Sequence, residues 1–188
     1  MRRGFKAEAE RLSVRLRSNL DVRPDERLDI DALAAEIGVE VRSADDLVPR
    51  DKLELLEDLQ PGCFSAATIS LLSGRVVAIT NPINTSKARR DSDLAHEIAH
   101  ILLKHEVGRA VRVGGLTFFD CDPEQEQEAN WLAGCLLLPR PLLLAEARRG
   151  LSAEEIAAKH KVSVPMARYR LNTSGVYFQV KNSRNNVR

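Results

Sequence analysis

The chain is poor in cysteine. Its 188 residues include three, Cys63, Cys121 and Cys135, an odd number with no close pairing. That argues against a disulfide framework, and the three read as reduced thiols of a cytosolic protein. An excess of charge of either sign is also missing. Lys and Arg total 28 against 27 Asp and Glu, a formal net charge of +1, which gives no strong electrostatic case for nucleic acid or a membrane as the main partner. No run approaches the ~20 apolar residues of a membrane span. The start, Met1-Arg2-Arg3-Gly4-Phe5-Lys6-Ala7-Glu8, is charged with no apolar region after it, so a secretory signal is not expected. Internal repeats and low-complexity stretches are absent. What is present is 44% hydrophobic residues in a chain long enough to bury a substantial core. The expectation is one compact cytoplasmic unit.

Histidine is scarce as well, with 4 in the chain, yet two of them flank a glutamate as His96-Glu97-Ile98-Ala99-His100. This H-E-x-x-H pattern lies in a run expected to be helical, Asp93 to Leu103. A helix sets residues i and i+4 on one face about a turn apart, so both imidazoles can hold one divalent ion. Glu97 then stands within reach of a water on that ion. In a chain of this composition a chance match arises about once in a few hundred sequences. The competing explanation is an amphipathic helix whose histidines pack or face water. Against it, Leu94, Ala95, Ile98, Ala99, Ile101, Leu102 and Leu103 make the helix apolar nearly all round. Buried His and Glu need partners, and a metal supplies them.

A catalytic zinc usually takes three protein ligands and keeps one position for water. Candidates for the third are His105, His160, the cysteines and the carboxylates of the segment from Asp122 to Pro139. That segment reads as a second helix, with Asp122 as N-cap, Pro123 at the first helical position, and Pro139 and Pro141 as its stop. Ala129, Leu132, Ala133, Leu136 and Leu137 form its apolar face. Glu124, Glu126 and Glu128 all lie near its start, and periodicity does not choose among them. Cys121 is close to this helix; a structural role is the simpler expectation for it.

His96-Glu97-x-x-His100-x-Leu102-Leu103, followed by Glu126-x-Glu128-Ala129-Asn130-x-Leu132-Ala133-x-x-Leu136-Leu137-x-Pro139, resembles the ImmA/IrrE family of metallopeptidases. The sequence departs from that family's pattern at Leu132, where an aromatic is usual, a substitution within the core. The likeness extends more loosely from about Asp29 to about Val176. It implies an α+β, zincin-like fold, a small mixed sheet packed on helices and followed by a helix-turn-helix-like segment. It implies His96, His100 and Glu128 as metal ligands and Glu97 as catalytic base. It also implies a protein substrate, typically a helix-turn-helix repressor encoded nearby, and so a role in transcription regulation, stress response or mobile-element control. Zinc is the expected ion, although two His and a carboxylate also suit manganese.

Supporting residues are less determined. A donor for the tetrahedral oxyanion is expected, and His105, Tyr169 and Tyr177 are candidates. For His105 the alternative is a cation at a helix C-terminus. Asn130 either orients a ligand or is an ordinary surface residue.

Elsewhere, residues 5 to 19 read as a charged helix, Asp29 to Ile37 as a helix ended by Gly38, and Val39 to Val41 as a short strand. Ser43 to Gln60 is ambiguous, with leucines that allow a helical turn or two. Cys63 to Leu72 and Arg75 to Thr80 read as a hairpin around Ser73-Gly74. Ser152-Ala153-Glu154-Glu155 has capping-box spacing and opens a helix–turn–helix pattern to Asn172. Its Lys159, Lys161, Arg168 and Arg170 would serve either phosphate contacts or packing on the core; packing is expected, because these charges are few for DNA affinity. Val176 to Val180 reads as a strand and Lys181 to Arg188 as a loose basic tail. The divisions expected are 1–28, an N-terminal helical segment; 29–145, the peptidase core; 146–180, the helix-turn-helix-like segment; and 181–188, the tail. The alternatives to a peptidase are a DNA-binding regulator using residues 152–171 and a non-proteolytic, antitoxin-like interaction module. The sequence leaves the oligomeric state open.

Overall fold

In a computed structural model, the backbone is described for residues 1–83, 85–106, 109–113, 116–120 and 122–185, and side chains for these except 109–113, 116–120, 184 and 185. The elements in order are α1 (Phe5–Asn19), α2 (Ile30–Glu36), β1 (Val39–Ser43), a 3-10 turn (Ala44–Asp46), α3 (Arg50–Leu59), β2 (Ala66–Ser70), β3 (Val76–Thr80), α4 (Lys87–Leu103), β4 (Arg109–Val113), β5 (Leu116–Asp120), α5 (Pro123–Leu137), α6 (Arg140–Arg149), α7 (Ala153–His160), α8 (Val164–Ser174) and α9 (Val176–Asn185). The fold is α+β, as expected.

Two helices carry the metal-site sequence, and their ends explain their placement. Ser86 caps α4, its hydroxyl accepting from the Arg89 N–H at 3.2 Å. At the other end Lys104 takes the left-handed conformation, φ 54°, and turns the chain so that the His105 N–H donates to the His100 carbonyl. Asp122 caps α5 by accepting from the Glu124 N–H at 2.8 Å, with Pro123 where its missing N–H costs nothing. α4 and α5 pack together more extensively than any other helix pair. Leu94, Ala95, Ile98 and Ala99 of α4 join Ala129, Leu132, Ala133 and Leu136 of α5 in the main core, all with at most 1% exposure.

Three strands form a sheet in the order β1-β3-β2, with β1 parallel and β2 antiparallel to β3. The hairpin expected around Ser73-Gly74 is the β2–β3 pair, with Gly74 at φ 81° in its turn. β2 is an edge of this sheet and packs on α4. The ambiguous segment after Ser43 is the 3-10 turn and α3. Of α3's residues only Leu53 is buried; Leu55, Leu56 and Leu59 are exposed.

The C-terminal end of α5 is buried, so its last carbonyls need donors from the protein. Two fully buried arginines supply them. Arg17 of α1 donates through Nη2 to the Leu136 carbonyl at 2.5 Å and through Nη1 to the Ser13 hydroxyl, which itself donates to the Cys135 carbonyl. Burial pulls the Arg17 pKa down to about 10, which leaves it charged at neutral pH. Arg170 of α8 donates through Nε to the Leu138 carbonyl and through Nη2 to Glu10. Its aliphatic stem passes over Gly134, where a Cβ would sit 2.4 Å from Arg170 Cδ.

Two expectations for the C-terminal part are corrected. Residues 176–180, read as a strand, open α9, and the start of the expected tail continues that helix to Asn185. Val176 and Val180 are buried four residues apart, so α9 uses them as a helical stripe, and packing on α6 outweighs their β-propensity. Pro139 and Pro141 do end α5, but they also start a helix that the sequence reading did not anticipate, α6.

Candidate metal centre

His96 and His100 stand on adjacent turns of α4 with their Nε2 atoms 3.0 Å apart. The α5 residue that meets them is Glu126: Oε2 is 3.3 Å from His96 Nε2 and Oε1 is 3.4 Å from His100 Nε2. Among the described residues, these three form the group whose ligand atoms lie close enough to hold one metal ion. A tetrahedral ion bound at 2.0–2.1 Å needs donor–donor separations of roughly 3.3 Å. The two nitrogens are slightly closer than that, and each Glu126 oxygen faces one of the imidazoles, so the three side chains can close on such an ion with a small adjustment. Two imidazole nitrogens this close also repel unless a proton or a cation lies between them. Burial, reinforced by the neighbouring His96 and only partly opposed by Glu126, pushes His100 down to about 4, so at neutral pH its ring is the free base that metals bind.

Glu97, the candidate base, is fixed by the sheet. Thr68 of β2 donates its hydroxyl to Glu97 Oε2 at 2.7 Å. The edge strand and the H-E-x-x-H helix are thus joined at the group expected to move a proton. No motif marks Thr68; only the β2–β3 register and the packing of β2 on α4 bring it there.

Glu128, the ligand implied by the resemblance, lies elsewhere. It is buried, accepts the Arg2 main-chain N–H at 3.0 Å through Oε1, and has Oε2 3.8 Å from His105 Nε2. Residues i and i+2 of a helix differ by about 200° in direction, which separates Glu126 from Glu128. His105 folds back over the end of α4, its Nδ1 3.0 Å from His100 Nδ1. Asn130 lines a cavity of about 780 Å³ with His96, Glu126, Trp131, Met166 and Tyr169. The Tyr169 ring packs edge-to-face on Trp131 with centroids 6.3 Å apart. Tyr177 is on α9 and lines neither hollow beside the histidines. The second hollow, about 370 Å³, holds Thr68, Glu97, His100 and His105. His96 and Glu126 line both, so the candidate centre lies where two hollows meet. His160 is away from it, with Nε2 3.1 Å from Glu146. Cys135 is buried and its thiol is pushed well up by burial; Cys63 is exposed, and Cys121 lies outside the described residues.

The family model of the IrrE N-terminal-like domain, of the M78 peptidases, matches residues 64–172, more than half of the chain. The chain belongs to this family. The IrrE-like match takes in β2, the H-E-x-x-H helix, the acidic helix and most of α8. Its membership makes the chain a member of a metallopeptidase family, which implies a divalent metal and a protein substrate. No curated protein matches the chain. Among the described residues, no helix is long and apolar enough to cross a membrane.

Proposed function

We propose that the protein is a cytoplasmic, zinc-dependent endopeptidase that cleaves a regulatory protein, with a helix-turn-helix repressor encoded nearby as the leading substrate. The observation that carries this reading is that Glu97, held by Thr68 of the sheet's edge strand, lines the same hollow as His96, His100 and Glu126. Glu126 is our assignment for the third ligand, on distance; Glu128 is the assignment from the sequence resemblance, and the two are separable by mutation.

A bound divalent ion supplies Lewis acidity and a water acidic enough to attack near neutral pH. Glu97 takes the proton of the attacking water and hands it to the departing amine. Thr68 holds Glu97 in the orientation that this transfer needs. The outer edge of β2, which pairs with no further strand among the described residues, can accept an extended substrate segment as an added strand, which would lay a peptide bond alongside Glu97. Tyr169 and Asn130, on the wall of the larger hollow, are the side chains best placed to meet substrate on the other side of the centre.

The test uses the purified protein and the product of the neighbouring repressor-like gene. Cleavage read by mass spectrometry is expected with zinc, absent with chelator, and reduced about 10²- to 10⁴-fold in Glu97→Gln. Cleavage that persists in that variant contradicts the reading. Manganese in place of zinc would change the ion and leave the assignment of residues intact.

A further inference from the structure

Glu128 and His105 are each expensive to bury. Their side chains are 10% and 7% exposed, yet they face each other across 3.8 Å behind the candidate metal centre. The other end of His105 meets the back of His100, Nδ1 to Nδ1 at 3.0 Å, with the rings steeply inclined at 74°. On its far side Glu128 is held by the main-chain N–H of Arg2, and the Arg2 Nε lies 3.7 Å away. The result is a continuous row from Arg2 through Glu128, His105 and His100 to the point where His96 and Glu126 converge.

A hydrogen bond between two imidazole nitrogens needs one proton, and the row decides which ring carries it. His100 turns Nε2 toward His96 and Glu126. A neutral His100 that offers this lone pair to an ion carries its proton on Nδ1 and donates it to His105 Nδ1. His105 must then carry its own proton on Nε2, the nitrogen that faces Glu128. Without a carboxylate there, the opposite polarity, with His105 donating and His100 protonated on Nε2, would compete and would block the lone pair. At 3.8 Å Glu128 is beyond hydrogen-bond length, so it acts through its charge, which in a buried place is poorly screened.

We propose that Glu128 is a positioning residue, anchored by the Arg2 main chain, that fixes the tautomer and orientation of His105 and, through it, presents His100 Nε2 to the metal. This rests on the reading that His96, His100 and Glu126 hold a divalent ion. Metal-bound histidines commonly donate their second nitrogen to a carboxylate or carbonyl. Here the acceptor is a second imidazole, with the carboxylate one step further out. Glu128 of α5 then has a task distinct from that of Glu126.

The test has two arms on the full chain. In the zinc-loaded protein, long-range proton–nitrogen correlation of the imidazoles should find His105 protonated on Nε2 and bare on Nδ1, and His100 protonated on Nδ1. The second arm is titration with Co²⁺, read by its visible ligand-field bands. Glu128→Gln should keep the wild-type band shape and one-to-one stoichiometry but lose about 10- to 100-fold in affinity, whereas Glu126→Ala should change the band shape. A His105 protonated on Nδ1 overturns the proposal. So does wild-type affinity in Glu128→Gln, or a Glu128→Gln spectrum altered as in Glu126→Ala, which would make Glu128 a ligand. Failure of the wild-type protein to bind either ion would instead overturn the metal-site reading, and the relay with it.

Discussion

Residue by residue, the chemistry of the site depends on protons and lone pairs. His100 is held near a pKa of about 4 against an ordinary 6.5, chiefly by burial. Between those values the unfolded chain binds a proton that the folded, metal-free chain does not. Stability of the metal-free protein should therefore fall as pH drops from about 6.5 toward 4, and the contribution is fully recovered above about 6.5. Urea midpoints measured across that range should decline more steeply for the wild type than for His100→Gln, which has no proton to gain. Equal slopes would mean that His100 is not a half-buried free base. A bound metal competes with the same proton, so loss of metal should also accompany acidification.

At the scale of elements, α5 carries most of the construction, since one end faces the histidines and the other is gripped by Arg17 and Arg170. Gly134 lies under the Arg170 stem. Gly134→Ala should displace a fully buried arginine and destabilise the protein by about 1–3 kcal/mol despite alanine's better helix propensity. A thermal midpoint equal to or above wild type would contradict this packing. Much of this level was legible in the sequence. The caps Asp122 and Ser152 mark helix starts, and the two strands around Ser73-Gly74 announce their hairpin. The β4–β5 pair escaped notice although Gly114-Gly115 separates two strand-like runs, which is a hairpin signal. Val176 to Val180 misled because β-branched and aromatic residues say nothing about which surface they will meet. The choice between Glu126 and Glu128 was beyond reach of the pattern, because it depends on how α5 is rotated against α4. Thr68 was hidden for a like reason, as strand register and inter-element packing leave no local mark.

At the scale of the whole molecule, the helix-turn-helix-like segment is bound into the rest of the chain through its charges. Arg170 pairs with Glu10 of α1 and Lys159 with Glu146 of α6, a carboxylate that His160 also meets, while Arg168 pairs with Glu154 inside the segment. Arg170, fully buried in its pairing, is out of reach of phosphates, which supports a packing role for α7 and α8. Gel shifts with the purified protein should accordingly give no sequence-specific complex at physiological salt, and a specific, salt-sensitive shift would favour the DNA-binding alternative. The cavity beside the histidines is walled partly by Met166 and Tyr169 of α8, so that segment also helps shape the space a substrate would enter.

In the function proposed above, α4 and α5 together build one metal centre from His96, His100 and Glu126. Anomalous diffraction at the zinc edge from zinc-loaded crystals tests it most directly. The account predicts a single strong peak about 2.0–2.2 Å from His96 Nε2, His100 Nε2 and a Glu126 oxygen. A peak coordinated by Glu128 in place of Glu126, or no peak between the two histidines, would contradict it.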